Sequence, residues 1–443
     1  MKILFISLGC DKNLVDSEVM LGLLRENAFE LTDDEREADV IVVNTCCFIN
    51  DAKEESINTI LEMAELKKTG NLKALIATGC LAQRYKEDII KEIPEVDAII
   101  GTTGYEKIVE AIEGVLAGEK QKFIEDINVT PHEKKRKRIN TTGGYYSYLK
   151  IAEGCDKNCT YCIIPKVRGH FRSVPMEELV EEAKQLADAG VVELILVAQE
   201  TTLYGMDLYG KKSLPALLKE LCKISGIQWI RILYCYPEEI TDELIETIKT
   251  EDKVCNYLDI PIQHGTDNIL KRMGRRTNKQ EIVDIVAKLR ENIPDITLRT
   301  TLISGFPGET QEDHQELLEF VEDMEFDRLG VFTYSEEEDT PAARMDGQID
   351  EEVKAARRDE LMAVQQEIAF QKAQDAISTK LKVLIEGKLP EDNVFIGRTY
   401  KDAPNVDGYI FVNSSQELIS GQFVDVFVTD AKEYDLIGDV IWE

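Results

Sequence analysis

The stretch EGCDKNCTYCIIP, residues 153–165, decides how the fold of this chain is interpreted. It holds Cys155, Cys159 and Cys162 in the spacing C-x3-C-x2-C. Structural zinc sites usually have four ligands, often as two C-x2-C pairs. Three thiolates so close together suit an iron–sulfur cluster in which one iron has no protein ligand and can bind a substrate or cofactor. A structural metal knuckle or buried core cysteines are the alternatives, but three cysteines within eight residues of a loop rarely serve packing alone.

Length and composition indicate a globular protein with several domains. The chain has 443 residues, too many for one ordinary core, so two or three domains are expected. No apolar run approaches the length of a membrane span. The apolar run at residues 3–8 is too short for the core of a signal peptide, so we expect a cytoplasmic location. The net charge of −32 argues against a general nucleic-acid-binding protein, whose surface is usually basic.

The ten cysteines need a chemical explanation. Disulfides are not expected in a reducing compartment, so clustered cysteines there indicate metal binding or catalysis. Cys222, Cys235 and Cys255 stand alone in apolar surroundings and are interpreted as small buried hydrophobic side chains.

Hydrophobic patterning divides the chain into three domains and a linker. Residues 1–120 alternate short apolar runs with helices, which predicts a doubly wound α/β domain with a parallel sheet. Residues 121–144 are polar and are interpreted as a linker whose basic run KKRKR, residues 134–138, is solvated. Six βα units over residues 145–377 predict a partial (β/α)6 barrel of TIM type, with the cysteine motif just past its first strand. Five short strands over residues 378–443 predict a small antiparallel, OB-like β-barrel.

The motif CDKNCTYC is similar to the cluster-binding motif of the radical S-adenosylmethionine (SAM) enzymes. The resemblance implies that Cys155, Cys159 and Cys162 hold a 4Fe-4S cluster whose open iron binds SAM, and that SAM is split to a radical that abstracts a hydrogen atom. VAQETTLYG, DIPIQHGTDNILKRM and SGFPGE, each at a strand end, are similar to segments that line the SAM pocket of the family. The glycines of SGFPGE are expected to let the backbone approach a ligand closely. The implied SAM-pocket residues are Tyr161, Gln199, Glu200, Gln263, Gly305, Phe306 and Gly308.

Three more cysteines follow the first three strands of the N-terminal domain. These are Cys10, Cys46 and Cys80, separated by 36 and 34 residues. Because the carboxyl ends of parallel strands meet at one edge of a sheet, we expect the three thiols to converge and again to leave an iron open. Cys47 adjoins Cys46, and neighbours on a strand point to opposite faces, so both are not expected to bind one cluster. Spacing alone does not choose between them.

The whole chain resembles the methylthiotransferases. The resemblance is carried by SLGCDKNLVDSE, NTCCFI and TGCLAQR, by the radical-SAM barrel and by the small C-terminal barrel, which matches the family's TRAM domain. It implies that Cys10, Cys46 and Cys80 bind a second, auxiliary 4Fe-4S cluster. SLGCDKN and CDKNCTYCIIPKVRGHFRS resemble the branch that modifies an aspartate of a small-subunit ribosomal protein, whereas the tRNA-modifying branch typically has Gln-Met in place of Asp11 and Lys12.

The implied reaction is methylthiolation of the β-carbon of that aspartate, with SAM as both methyl donor and radical source. No side chain is expected to act as a general acid or base. His170 and His264 are candidates for the pocket, although a lone histidine is more often structural. Residues 378–443 carry twelve acidic and six basic side chains, a net charge of −6, which suits a basic ribosomal protein as partner. An electron donor of unknown identity is required; a membrane is not expected, nor is tRNA.

Three alternatives stay open at this point. A tRNA adenosine methylthiotransferase would apply the same chemistry to a stacked base. An electron-transfer carrier with two clusters would not cleave SAM. A zinc-stabilised nucleic-acid-binding module would contain zinc instead of iron and would bind RNA in a salt-sensitive manner.

Overall fold

The computed structural model describes residues 1–129, 138–390 and 393–442. Its first unit is a parallel sheet of six strands in the order β2-β1-β3-β4-β5-β6, with helices on both faces. Every residue of β3 and β4 is buried, which explains why these strands are apolar without alternation. The strands are β1 (Lys2–Ser7), β2 (Glu30–Leu31), β3 (Val40–Thr45), β4 (Ala74–Gly79), β5 (Ala98–Ile100) and β6 (Gln121–Phe123). The helices are α1 (Asp11–Glu26), α2 (Asn50–Thr69), α3 (Cys80–Glu92) and α4 (Ile108–Leu116).

The predicted linker is partly structured. Its first residues form β6, which pairs in parallel with β5, so the sheet extends beyond the boundary predicted at residue 120. Within the basic run, residues 134–137 lie outside the described residues. The expectation of a solvated side chain is wrong for Arg138, whose guanidinium is buried, donates to Ser147 Oγ (2.5 Å) and lies 2.7 Å from the Glu182 carboxylate. The acidic residues of the neighbouring helices compensate its charge.

The second unit is an open sheet of six parallel strands in the order β14-β13-β12-β11-β10-β7. Its outer face packs on helices through alternate residues such as Leu194 and Leu196, whereas Ile195 and Val197 face the inside. The strands are β7 (Tyr146–Lys150), β8 (Ala152–Glu153), β9 (Arg172–Ser173), β10 (Glu193–Val197), β11 (Trp229–Ile232), β12 (Val254–Asp259), β13 (Thr297–Ser304) and β14 (Arg328–Thr333), of which β8 and β9 form a separate antiparallel pair. The helices are α5 (Ile164–Val167), α6 (Met176–Asp188), α7 (Met206–Tyr209), α8 (Leu214–Cys222), α9 (Asp242–Thr250), α10 (Asp267–Arg272), α11 (Lys279–Asn292), α12 (Gln311–Met324) and α13 (Glu351–Asp375).

The third unit is a closed five-stranded barrel in the order β15-β16-β17-β19-β18. Its strands are β15 (Lys380–Lys388), β16 (Val394–Thr399), β17 (Ile410–Asn413), β18 (Phe423–Ala431) and β19 (Leu436–Val440). The pairing is antiparallel as predicted except between β17 and β19, which run parallel because a closed barrel of five strands cannot alternate in direction throughout. The three units confirm the predicted fold class. Within the described ranges, no helix is long and apolar enough to cross a membrane.

A buried charge cluster fixes the small barrel against the start of the second sheet. Glu193, the first residue of β10, lies between Arg231 and Arg398, and all three side chains are fully buried. Arg231 Nε donates to Glu193 Oε1 at 2.9 Å and Arg398 Nη2 donates to Oε2 at 2.6 Å. Burial raises the pKa of Glu193, but the charges of Arg398 and Arg231 outweigh burial and hold its pKa below the usual value. Glu193 is therefore ionised and paired on both oxygens.

Replacing Glu193 with Gln is expected to destabilise the junction between the barrels by about 3 kcal/mol, because it leaves the buried Arg231 without an anion and Arg398 with Glu386 alone. Urea unfolding followed by tryptophan fluorescence measures this, since the Trp229 ring packs edge-on against Phe423 of the small barrel at 4.7 Å. The matched control is Asp425→Asn, which breaks an exposed pair with Lys380 and is expected to cost less than about 1 kcal/mol. Equal losses in the two variants would contradict this account.

Candidate active site between two cysteine sets

The first cysteine set, Cys155, Cys159 and Cys162, lies on the loop between β8 and α5. Gly154 starts this loop with φ at +80°, and a Cβ there would lie 2.1 Å from the carbonyl oxygen of His170. Only glycine fits this close approach. The loop is thereby pressed onto the chain segment that follows α5, which fixes the positions from which the three thiols project.

Buried groups surround the first set. The Tyr236 hydroxyl lies 3.8 Å and an Arg275 guanidinium nitrogen 4.0 Å from Cys159 Sγ, and Arg275 also stacks on the Tyr236 ring. Burial raises the pKa of the Cys155 thiol to about 11 and that of Cys162 further. These thiols therefore keep their protons at neutral pH unless a metal displaces them, as it does when thiols become ligands.

Two of the predicted SAM-pocket residues follow β10 and contact the cysteine loop. Gln199 Oε1 accepts from Gly154 N–H at 2.9 Å, and Gln199 Nε2 donates to Glu153 at 2.6 Å. Glu200 is fully buried, and burial raises its pKa to about 7. Its Oε2 has no hydrogen-bond partner in the described part of the chain, and the Lys157 ammonium lies 3.8 Å away. An unpaired carboxylate oxygen here can accept from the amino group of a ligand.

The predicted aromatic residues line one side of the same region. Tyr161 meets Phe306 edge-on at 6.4 Å, and Phe306 meets Tyr334 at 5.3 Å, within a small apolar cluster. Gln263 follows β12 with φ at +75°, a conformation that is costly for a residue with a Cβ. Its backbone N–H donates to Thr301, which aligns this strand end with β13.

The glycines of SGFPGE pack against protein. Gly305 and Gly308 have φ of +71° and +85°, and a Cβ would lie 2.3 Å from Lys354 in the first case and 2.7 Å from the Arg272 guanidinium in the second. In this structure the lack of a Cβ at Gly305 and Gly308 thus leaves room for the side chains of Lys354 and Arg272. Approach to a ligand stays a prediction for both positions.

The two histidines take separate positions. His264 is fully buried, and its Nδ1 accepts from Thr266 N–H at 3.1 Å. His170 is exposed and pairs with Asp156 at 2.7 Å. His264 thus has a structural contact within its own loop, and His170 lies at the surface.

The second set, Cys10, Cys46 and Cys80, lies at the carboxyl ends of β1, β3 and β4, which are neighbours in the sheet. Cys46 and Cys80 are buried and Cys10 is exposed. Burial raises the pKa of Cys46, and a negative charge on Cys10 raises it further. Burial also raises the pKa of Cys80, against the opposing charge of Arg168. The three thiols are thus close enough to influence one another.

Cys46 and Cys47 have different surroundings. A Cβ on Gly9, the residue before Cys10, would lie 3.0 Å from Cys46 Sγ, so Cys46 faces the Cys10 segment. Cys47 is fully buried in the apolar core, where burial raises its pKa to about 12. Both lie near Cys80. Proximity to Cys10 favours Cys46 over Cys47 as the ligand.

The carboxyl ends of the two parallel sheets face each other, so both cysteine sets lie at the junction of the two units. Residues that follow barrel strands contact the helices that follow the cysteine-bearing strands. The contacts are Asp11 with Tyr234 (2.9 Å), Asn50 with Ser335 (3.2 Å), Arg84 with Glu337 (2.9 Å), and Asp16 with Lys150. A ligand at either set is therefore within the reach of both units.

A path of polar contacts connects the two sets directly. Arg168, just after α5, places Nε 3.3 Å from Cys80 Sγ and donates from Nη1 to Glu153 at 3.0 Å. Glu153 accepts a hydrogen bond from Gln199, and Gln199 in turn accepts one from the backbone N–H of Gly154, next to Cys155. Arg168 lies within PKVRGHFRS, where a single arginine gives no signal of this role, so its contact with Cys80 was not predicted from the sequence.

The donor chemistry of both sets suits a 4Fe-4S cluster. In the part of the chain that the structure describes, no three His, Cys, Asp or Glu side chains stand close enough to hold a single metal ion. A four-iron cluster is wider than one ion, so its thiolates must stand farther apart. Each set offers three cysteines, and each has a buried arginine at one sulfur, Arg275 at Cys159 and Arg168 at Cys80, which suits an anionic ligand set.

Comparison with known proteins places each unit in a family. Residues 2–101 match the family described as "Uncharacterized protein family UPF0004", residues 149–321 match the radical SAM superfamily, and residues 377–441 match the TRAM domain. A protein of Lachnoclostridium phytofermentans named ribosomal protein uS12 methylthiotransferase RimO is 70% identical over 438 residues, 99% of each chain. The protein of the same name from Clostridioides difficile is 53% identical and covers 100% of this chain and 99% of its own.

The chain belongs to the ribosomal protein uS12 methylthiotransferase family. It is a radical-SAM methylthiotransferase with a C-terminal TRAM domain. Two solved structures of the radical SAM methyltransferase TsrM from Kitasatospora setae share the fold. One has a TM-score of 0.56 at 12% identity and covers 86% of this chain and 77% of its own; the other has a TM-score of 0.58 at 11% identity, with 86% and 76% covered.

Replacing Cys46 with Ala is expected to lower the iron content of the anaerobically reconstituted protein from about eight to about four atoms per chain, because one cluster loses a ligand. The matched control is Cys47→Ala, one residue away, which is expected to keep about eight. Iron and sulfide analysis measures both. Loss of iron in the Cys47 variant but not in the Cys46 variant would show that the assignment is wrong.

Proposed function

We propose that this enzyme methylthiolates the β-carbon of an aspartate in ribosomal protein uS12. It would use SAM as methyl donor and radical source, with one 4Fe-4S cluster on Cys155, Cys159 and Cys162 and another on Cys10, Cys46 and Cys80. The observation that carries the proposal is the pair of cysteine sets at facing sheet edges, joined through Arg168. The relatives named as uS12 methylthiotransferases support the choice of substrate.

When bound, SAM and the clusters supply hydrogen abstraction and transfer of a methylthio group, which general acid–base groups cannot perform. The protein's own residues bind, orient and exclude water. Glu200 offers an unpaired oxygen to the amino group of SAM, and the apolar cluster around Phe306 shields one side of the pocket. Arg275 compensates the negative charge of the first thiolate set. Free thiols that serve as cluster ligands persist in a reducing compartment, which supports a cytoplasmic location.

Two residues next to Cys10 are candidates for recognising the substrate. Lys12 Nζ lies 3.1 Å from Asp11 Oδ1 and 3.3 Å from the centre of the Tyr234 ring, and its side chain is only 8% exposed. Asp11 Oδ2 has no hydrogen-bond partner among the described residues. A buried ammonium beside a cluster ligand is suited to an aspartate carboxylate, because ion pairs strengthen where water is excluded. The tRNA-modifying relatives typically have Gln-Met at the positions of Asp11 and Lys12.

The charge of the chain favours a protein substrate over tRNA. The net charge is −32 overall and −6 over residues 378–443, so a phosphate backbone would be repelled. A basic ribosomal protein is attracted by the same field.

The reconstituted enzyme, incubated anaerobically with SAM, sulfide as the sulfur source, a reductant and purified uS12, is expected to add one methylthio group to one aspartate-containing peptide. Peptide mass spectrometry measures the addition. A parallel reaction contains tRNA instead of uS12. Methylthio-adenosine in the tRNA, with unmodified uS12, would contradict the proposed substrate.

Lys12→Met tests the finer claim in the same assay. It is expected to slow uS12 modification at least about tenfold, equivalent to about 1.4 kcal/mol, and to leave reductive cleavage of SAM without substrate unchanged. The matched control is Lys401→Met, which removes another lysine beside a tyrosine ring, Tyr400, in the small barrel. If both variants modify uS12 at the wild-type rate, Lys12 does not recognise the substrate.

A further inference from the structure

Arg168 belongs to the barrel unit, but its guanidinium lies in the N-terminal cysteine site. The side chain is 2% exposed, and Nε lies 3.3 Å from Cys80 Sγ. Nη1 donates to Asp16 at 2.8 Å and to Glu153 at 3.0 Å, and Nη2 donates to Asn13 Oδ1. The guanidinium of Arg168 therefore contacts the proposed cluster ligand Cys80 and residues of both units at once. A planar guanidinium has N–H donors in fixed directions that allow this, whereas the single ammonium of a lysine does not.

Asn13 extends this contact to the other two cysteine-bearing segments. Its Nδ2 donates to the carbonyl oxygens of Leu8 at 3.1 Å and Thr45 at 3.0 Å. Leu8 lies two residues before Cys10, and Thr45 directly precedes Cys46. The amide thus joins two strand ends while its Oδ1 accepts from the guanidinium, so one arginine orients the segments that carry all three thiols.

The charges around Arg168 balance one another. Lys150 Nζ contacts Asp16 and lies 2.9 Å from Glu153, so two cations face two carboxylates. Because these four groups have no net charge, their effect on the cluster depends on which group is nearest to a sulfur. That group is the N–H donor at Cys80. Hydrogen bonds to cluster sulfurs raise the reduction potential, since they stabilise the more negative reduced state.

We propose that Arg168 is a positioning residue of the auxiliary cluster, an inference that rests on the proposed function because it requires a 4Fe-4S cluster at Cys80. Its N–H contact to the Cys80 sulfur raises the reduction potential of that cluster. Its contact with Glu153 orients the cluster toward the first cysteine set.

The test compares two substitutions at Arg168 with a matched control. Arg168→Met removes the donor and the charge, and Arg168→Lys keeps the charge without the fork. The control is Arg84→Met, because Arg84 is also buried and also bridges the two units through Glu337, but it contacts Cys47, which is not a proposed cluster ligand. Each is made in protein whose Cys155, Cys159 and Cys162 are replaced with Ala, so that the reduced auxiliary cluster alone gives the electron paramagnetic resonance (EPR) signal.

A redox titration followed by EPR, with iron analysis of the same samples, gives the result. Arg168→Met is expected to lower the equilibrium constant for one-electron reduction about tenfold, a shift of about 59 mV to more negative potential. Arg168→Lys is expected to fall between Arg168→Met and wild type, and Arg84→Met is expected to match wild type. Loss of iron from Arg168→Met alone, with native circular dichroism, would also support the proposal.

Four irons and an unchanged potential in Arg168→Met would overturn the proposal, as would an equal shift in Arg84→Met. If Arg168→Met does not fold, Arg168→Lys decides by the same criteria. If the protein with Ala at positions 155, 159 and 162 binds no cluster at Cys10, Cys46 and Cys80, the proposed function and this inference are both overturned. An unchanged potential in Arg168→Met, or an equal shift in Arg84→Met, overturns this inference but leaves the proposed function intact.

Discussion

Four charged side chains buried between two parallel sheets, Asp16, Lys150, Glu153 and Arg168, determine how the two cysteine sets are placed. In each sheet the cysteines lie at the carboxyl ends of the strands, which is where parallel sheets usually bind ligands. The buried ion pairs hold the two edges against each other, because separating the sheets would leave charged side chains unpaired in a site from which water is excluded. The proposed reaction, with a radical formed at one site and a methylthio group supplied from the other, requires this arrangement.

The small barrel is attached at the other end of the central sheet. Glu193 and Arg328, the first residues of β10 and β14, bind its side chains Arg398 and Asp402, whereas the contacts of the N-terminal unit lie after the strands. The central unit therefore has its neighbours at opposite ends of its strands. The acidic small barrel can contribute charge to recognition without occupying the junction that holds the cysteine sets.

Patterns that depend on local spacing could be predicted from the sequence. Cys155, Cys159 and Cys162 lie within one loop, and the apolar strands of both sheets were recognisable because burial on both faces removes alternation. The position of Cys10 relative to Cys80 needed only the rule that parallel strands end at one edge. Arg168 and Asn13 could not be predicted, since a contact across 155 residues leaves no periodic pattern. For the same reason the burial of Arg138 was missed, as its acidic partners come from distant helices.

Magnetic coupling between the two proposed clusters would show directly that they lie at facing edges of the two sheets. The EPR spectrum of the doubly reduced wild type can be compared with the sum of the spectra from two variants, one lacking Cys10, Cys46 and Cys80 and the other lacking Cys155, Cys159 and Cys162. We expect broadening or splitting in the wild type that the sum lacks, because nearby spins interact. A wild-type spectrum equal to the sum, with both clusters present by iron analysis, would contradict it.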